Sequence, residues 1–231
     1  MTASANGGPG ADYPAAGYPP EPWYLGGSML VSVFRVPTGA LPPEFWAGSR
    51  PRPIAGHVLV GVAFANYAPG GVLAYDELLV ATPTLDRGRL RVTIPQIWVD
   101  SDESLRGGRA LWGIPKRLGS FERLGSFERV GARDAASVSM RTDEGPVASL
   151  DAKVGRALVP GMRQIPLPIV QRTAAGRILS RNRVIGRIRT LSATWTFDPA
   201  GPLGYLAGRE PWAGFALGDA AIVFGMRVER P

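Results

Sequence analysis

No cysteine occurs among the 231 residues, and there is a single histidine, His57. The first absence excludes disulfides, thiolate metal sites and thiol nucleophiles. The second leaves no multi-histidine metal site within one chain. Lysine is almost as scarce. Of the 26 Lys and Arg residues, only Lys116 and Lys153 are lysine. No apolar run reaches the roughly 18 residues of a membrane span. The first residues, Met1 to Ala5, carry neither a basic region nor an apolar stretch, so no secretory signal is expected and a cytoplasmic location is. What remains is a globular composition, 45% apolar and 19% charged, with enough length for one ordinary domain and its core.

The balance of charge is +7, which raises the question of a nucleic-acid partner. The densest cluster is Arg172, Arg177, Arg181, Arg183, Arg187 and Arg189. Its spacing is irregular, but Arg181/Arg183 and Arg187/Arg189 alternate as one face of a strand does, which reads as a solvated sheet face or a subunit contact. No helix-turn-helix, zinc or RNP-like motif accompanies them, so neither a nucleic-acid nor a membrane partner is expected. The avoidance of lysine singles out the two that are kept. Arginine stays protonated in a protein, whereas a lysine can serve as a neutral amine.

Residues 1–22 are small, rich in Gly and Pro, and without periodicity, which predicts a flexible arm. A single domain is expected over 23–231. Met29–Arg35, His57–Tyr67, Val72–Thr82 and Arg89–Val99 read as strands, the second apolar on both faces and so buried on both. Pro42 and Pro43 suit the first turn of a short helix in 38–46. The best helix is 100–112, capped by Ser101 or Asp102, weakened in its middle by Gly107 and Gly108, and ended by Gly113 and Pro115. Further strands are predicted near 117–129, 136–142, 146–155, 163–170, 177–184, 186–197 and 220–229. Many short strands with two short helices predict a mainly β barrel or sandwich. Arg117–Glu122 (RLGSFE) recurs unchanged as Arg123–Glu128. Six is even, so a strand absorbs such an insertion without exchanging its faces, and a longer strand or hairpin is expected there.

The usual nucleophile arrangements are missing: there is no G-x-S-x-G and no phosphate-binding glycine loop before a helix. His57 opens an apolar strand and reads as structural. Asp100, Asp102 and Glu103 read as helix-start acids, since they lack the glycine and distal Glu of a calcium loop. Lys116 is left. It follows a rigid Gly-x-Pro turn directly after the helix ending at Trp112, and Arg117 comes next. An amine in an apolar site, or beside another cation, can be neutral at pH 7. It then attacks a ketone or aldehyde to give an iminium, which permits decarboxylation, aldol or retro-aldol cleavage, and dehydration. A lysine simply exposed in a turn remains the alternative on this text alone.

The segment 100–119 (DSDESLRGGRALWGIPKRLG) resembles the acetoacetate decarboxylase family, whose hallmark is Gly-Arg-x-Leu leading into Pro-Lys-(Lys/Arg)-Leu-Gly. Trp23–Arg35 is similar to the family's N-terminal strand, Ala74-Tyr75-Asp76-Glu77 to its Tyr-x-Glu, and Ser192–Leu206 to its late strand and loop. The resemblance covers about residues 20–230. It implies a mainly β (α+β) fold, a β-barrel with flanking antiparallel strands and short helices. It also implies a lyase in which Lys116 forms the Schiff base without any cofactor or metal, Arg117 is the adjacent cation and Glu77 an active-site carboxylate. The partners implied are a small carbonyl substrate and further copies of the chain, as a homo-oligomer.

Two family residues are not matched. An Arg that meets the substrate carboxylate falls at Gly27, and a Glu fifteen residues before the Tyr-x-Glu acid falls at Val62. Their loss predicts an apolar substrate pocket near Val62, Trp98 and Trp112, suited to larger and less charged carbonyl compounds than acetoacetate. The reaction class stays open at this point. It is a lysine-dependent lyase, such as an aldolase-dehydratase of secondary metabolism, a cyclase or isomerase using Glu77 as acid or base without an iminium, or a binding protein without chemistry.

Overall fold

The computed structural model describes residues 16–125 and 135–231. Its order is β1 (Trp23–Pro37), α1 (Pro43–Ser49), β2 (His57–Ala68), β3 (Tyr75–Asp86), β4 (Arg89–Val99), α2 (Asp102–Trp112), β5 (Lys116–Leu118), β6 (Ser120–Gly125), β7 (Ala135–Thr142), β8 (Gly145–Thr173), β9 (Gly176–Phe197) and β10 (Ala213–Glu229). The strands form one ten-stranded sheet in the order β5-β4-β3-β2-β1-β10-β9-β8-β7-β6. Neighbours run antiparallel except β4 and β5. The mainly β expectation therefore holds, and the sheet is brought partly round into a ring, because β4 also meets β8 in parallel at Val92 and Ile169.

Closure rests on side chains more than on that one bridge. Gln171 on β8 is buried; its amide donates to the Ile94 carbonyl at 2.9 Å and its amide oxygen accepts from Thr93 at 2.9 Å. Farther along, Asp86 at the end of β3 takes a two-pronged pair from Arg177 on β9, at 2.7 to 3.0 Å, with Arg172 of β8 at 3.8 Å. Such forked, charge-assisted pairs are stronger than neutral hydrogen bonds. Other members of the arginine cluster are paired on the surface, Arg181 with Glu229 and Arg187 with Asp219.

Strand alternation gives β1–β4 two buried faces. One face, with Leu30, Val60, Val62, Phe64, Val80 and Trp98, packs against Val138, Met140, Leu150 and Phe197 of β7–β9. The other, with Leu25, Ala65, Ile94 and Ile97, points into the ring toward Ile169, Val184, Leu217 and Ile222. The expected double burial of β2 follows from this arrangement.

Several elements run longer than their sequence signals. The segments expected at 146–155 and 163–170 are one strand, β8, and those at 177–184 and 186–197 are one strand, β9. β8 passes its break through register shifts between Val154 and Met162 in the β8–β9 ladder, while β9 passes its own at Gly186 in unbroken pairing with β8, Gly186 opposite Arg163. Ser101 caps α2 by accepting from the Ser104 N–H at 3.1 Å. Of the arm expected at 1–22, residues 16–22 pack on α2: Glu21 accepts from the Trp112 indole at 3.1 Å and pairs with Arg230 at 2.7 Å. The rest of the arm lies outside the described residues. So does the end of the second RLGSFE copy, while the first copy forms β5 and the start of β6.

The Arg177 pair holds the Asp86 carboxyl below its usual range, the hydrogen bonds outweighing burial. A carboxyl depressed in the folded state adds stability above its unfolded pKa and loses it as pH falls through the folded value. Asp86→Asn should therefore cost about 1–3 kcal/mol at pH 7. The gap to the parent should narrow below about pH 4, where unfolded aspartates protonate. Urea unfolding at pH 7 and pH 3 checks both.

Candidate functional site

The sharp end of α2 fixes where Lys116 points. Gly113 closes the helix in the left-handed conformation (φ 65°), its N–H bonding to Arg109. The chain then folds back: Ile114 N–H reaches the Gly108 carbonyl at 3.0 Å, and the Arg109 guanidinium donates to the Lys116 carbonyl at 2.8 Å. This delivers β5 alongside β4, with Lys116 opposite Ile97 and Arg117 opposite Trp98. Ile97 faces into the ring and Trp98 faces the other core. Lys116 therefore enters the ring and is only 4% exposed, whereas Arg117 turns outward and is exposed. The cation next in sequence is on the opposite side of the strand from the amine.

Inside, the Lys116 ammonium donates to Glu77 at 3.0 Å, to the Ser104 hydroxyl at 2.8 Å and to the Tyr75 hydroxyl at 3.4 Å. It also lies 4.9 Å from the Tyr75 ring centroid, over its face. Glu77, equally buried, accepts a further bond from the Tyr67 hydroxyl at 3.2 Å. Tyr67 and Tyr75 are driven well above the ordinary tyrosine range, first by burial and then by the Glu77 carboxylate. Both therefore stay protonated at neutral pH. The neighbouring Asp76 points away. It accepts from Asn66 at 2.7 Å and pairs with Arg123, from the second RLGSFE copy, at 3.0 Å.

These groups stand at one end of an otherwise apolar cavity of about 210 Å³. Trp112 lines it, with Trp23, Met29, Leu79, Ile94 and Leu217 among the apolar walls. Val62 and Trp98, expected beside Trp112, do not. Both are buried in the other core, because each is one residue out of phase with the cavity-facing positions Gly61, Ala63 and Ile97. The two positions flanking Val62 that do face the cavity carry no carboxylate either. Gly27 offers no space for any side chain, since a Cβ there would fall on the carbonyl oxygen of Asn66 across the β1–β2 ladder. Arg35 and Arg109 are exposed and do not line the cavity. His57 is remote, its ring nitrogen bonded to the Ala55 carbonyl at 2.9 Å. Among the described residues there is no cluster of metal-ligating groups, and no helix is long and apolar enough to cross a membrane.

The sequence reading missed Ser104 and Tyr67 and misjudged Gly107 and Gly108. Gly107 takes the Trp23 ring against the helix, and a Cβ on Gly108 would come within 2.7 Å of the Lys116 side chain. These glycines are close-approach sites, not weak points. The signal for Ser104 was its place one turn before Gly108 on the helix face that meets Lys116.

The model of the acetoacetate decarboxylase family matches residues 8–168. The chain belongs to that family. No curated protein matches it by sequence. Among solved structures, the enduracididine biosynthesis enzyme MppR with pyruvate superposes with a TM-score of 0.63 at 19% identity, covering 92% of this chain and 91% of MppR. An acetoacetate decarboxylase gives 0.63 at 19%, covering 93% and 91%. The acetoacetate decarboxylase of Legionella pneumophila gives 0.59 at 14%, covering 96% and 95%. At these identities the likeness is one of fold, over nearly the whole chain.

The contact at Gly108 yields a direct check. Gly108→Ala should overpack the helix against the Lys116 stem and destabilise the protein by about 1–3 kcal/mol. The circular dichroism spectrum should stay that of the parent, and urea unfolding measures the loss.

Proposed function

We propose that this family member is a lysine-dependent lyase that forms a Schiff base between Lys116 and the carbonyl group of a small substrate. The observation that carries the reading is the placement of the Lys116 amine, buried at the polar end of an apolar cavity and held by Glu77, Ser104 and Tyr75. In the proposed step Glu77 takes a proton from the ammonium. The freed lone pair on Nζ forms a bond to the carbonyl carbon while the carbonyl π electrons move to oxygen, and one proton then passes from the new ammonium nitrogen to that oxygen, relayed by a hydroxyl of the site that ends protonated as it began. The carbinolamine then loses its hydroxyl as water, with the proton returned by Glu77. Net, ammonium and ketone give a protonated iminium and water. The iminium withdraws electrons from the adjacent carbon, the common requirement for decarboxylation, aldol chemistry and dehydration. Tyr75 and Tyr67, protonated throughout, act as donors to developing oxygen charge and to Glu77. MppR, captured with the condensation product of pyruvate and imidazole 4-carboxaldehyde, supports a wider reading than decarboxylation. An aldolase-dehydratase role in secondary metabolism fits that breadth.

One observation favours a second reading. Nζ of Lys116 and Glu77 form a close ion pair, and Glu77 could act as acid or base on a bound substrate while the amine stays an ammonium. That chemistry is a cyclisation or isomerisation without a covalent intermediate. Borohydride reduction separates the two. With a methyl ketone present, the proposal expects one alkyl addition, on the peptide containing Lys116. Lys153, exposed on β8, should remain unmodified. Lys116→Arg should abolish both addition and turnover, because arginine stays protonated. Full turnover in that variant would favour the second reading, and addition at Lys153 alone would move the amine chemistry there.

A further inference from the structure

We infer that the substrate is a neutral, predominantly hydrocarbon carbonyl compound of about six to ten heavy atoms, and that the cavity rejects carboxylates. This deepens, and rests on, the reading of Lys116 as the carbonyl-binding amine.

Among the described residues, the cavity's lining holds a single cation, Lys116, and a single anion, Glu77, and these already neutralise each other at 3.0 Å. A substrate carboxylate would have to shed its water with no unpaired cation to meet it, and with Glu77 repelling it. No nearby position can easily supply one. Gly27 sits between the cavity-lining Leu25 and Met29 on β1, but the Asn66 backbone fills its side-chain space. Arg117 faces the other side of β5.

Size follows from which residues are small. Gly61 and Ala63 on β2 and Ala81 on β3 line the cavity where large side chains would fill it. The resulting cavity of about 210 Å³ is larger than the roughly 150 Å³ apolar cavity that takes up a six-carbon benzene ring. That suits a short-chain or monocyclic ketone or aldehyde with its carbonyl at Lys116 and its hydrocarbon part against Leu79, Ile94 and Leu217. The walls offer such a body no hydrogen-bonding partner away from the polar end, so a second polar group on the substrate would be left unpaired.

The test uses the full chain and a matched pair of probes, 2-heptanone and 6-oxoheptanoate, which differ only in a terminal methyl or carboxylate. Acetoacetate serves as a third. Calorimetric titration should give 2-heptanone an affinity at least about 100-fold above either anion, the penalty of an unpaired buried charge. Ala81→Leu and, separately, Ala63→Leu should each weaken 2-heptanone by about tenfold through lost space; two variants guard against one failing to fold. Equal or tighter binding of 6-oxoheptanoate or acetoacetate overturns the inference, as does unchanged ketone affinity in both folded variants. Borohydride trapping is read in parallel. Selective ketone binding without an adduct upholds the substrate class and removes the Schiff base. Adducts formed equally with the anions overturn the substrate class and leave the Schiff base standing.

Discussion

An ammonium group cannot sit inside an apolar barrel unless something compensates the water it loses. The Lys116–Glu77 pair is that compensation, and much of the architecture serves it. Breaking a buried pair leaves an uncompensated charge and costs several kcal/mol, about 3–5 in measured cases. The pair alone leaves lone pairs and protons unused. Ser104 and Tyr75 take those of the lysine, and Tyr67 one of the glutamate. The five residues come from four segments. Lys116 comes from the short strand after α2, Glu77 and Tyr75 from β3, Tyr67 from β2 and Ser104 from the first turn of α2. Gly108 lets the helix approach closely enough for Ser104 to reach the amine, and residues 16–22 hold the end of that helix through the bond from the Trp112 indole to Glu21.

The same sheet serves two cores, so the parity of each strand decides what the cavity contains. Tyr75, Glu77, Leu79 and Ala81 share one face of β3, and Leu78 and Val80 share the other. On β2 the cavity receives Gly61, Ala63 and Tyr67, while Val62 and Phe64 fill the second core. A single step in register would exchange these sets. It would remove both the acid and the space. The side-chain ties at Asp86 and Gln171 fix that register where β3 and β4 meet β8 and β9, which links ring closure to the composition of the site.

Much of this was legible in the residues. The mainly β pattern, a cap at Ser101 or Asp102, the Gly113 stop and the Gly-x-Pro-Lys text read directly, because they are local. The juxtaposition of Lys116 and Glu77 came through family resemblance, since 39 positions separate them and no local rule joins them. What could not be read was orientation. Arg117 looked like a neighbour of the amine because it is next in sequence, yet strand alternation sends it outward. Val62 looked like a pocket wall because a family glutamate falls at its place, and Trp98 was grouped with it as an apolar neighbour, yet the two-core sheet gives such residues two places to go. Gly155, Pro160 and Gly161 interrupt the pattern of β8 and Gly186 that of β9, and pairing between the two long strands carried the first interruption through as register shifts and the second without a break. Gly107 and Gly108 carry a helix-propensity penalty that tertiary packing overrides.

Having only two lysines makes the central claim accessible to one spectrum. Protein labelled with nitrogen-15 at the lysine side chain should give two amine signals, from Lys116 and Lys153. During incubation with a reactive ketone, the account predicts that one signal moves to the iminium region, that the other stays unchanged, and that the moving signal is missing in Lys116→Arg. Two unshifted amine signals during turnover would contradict it.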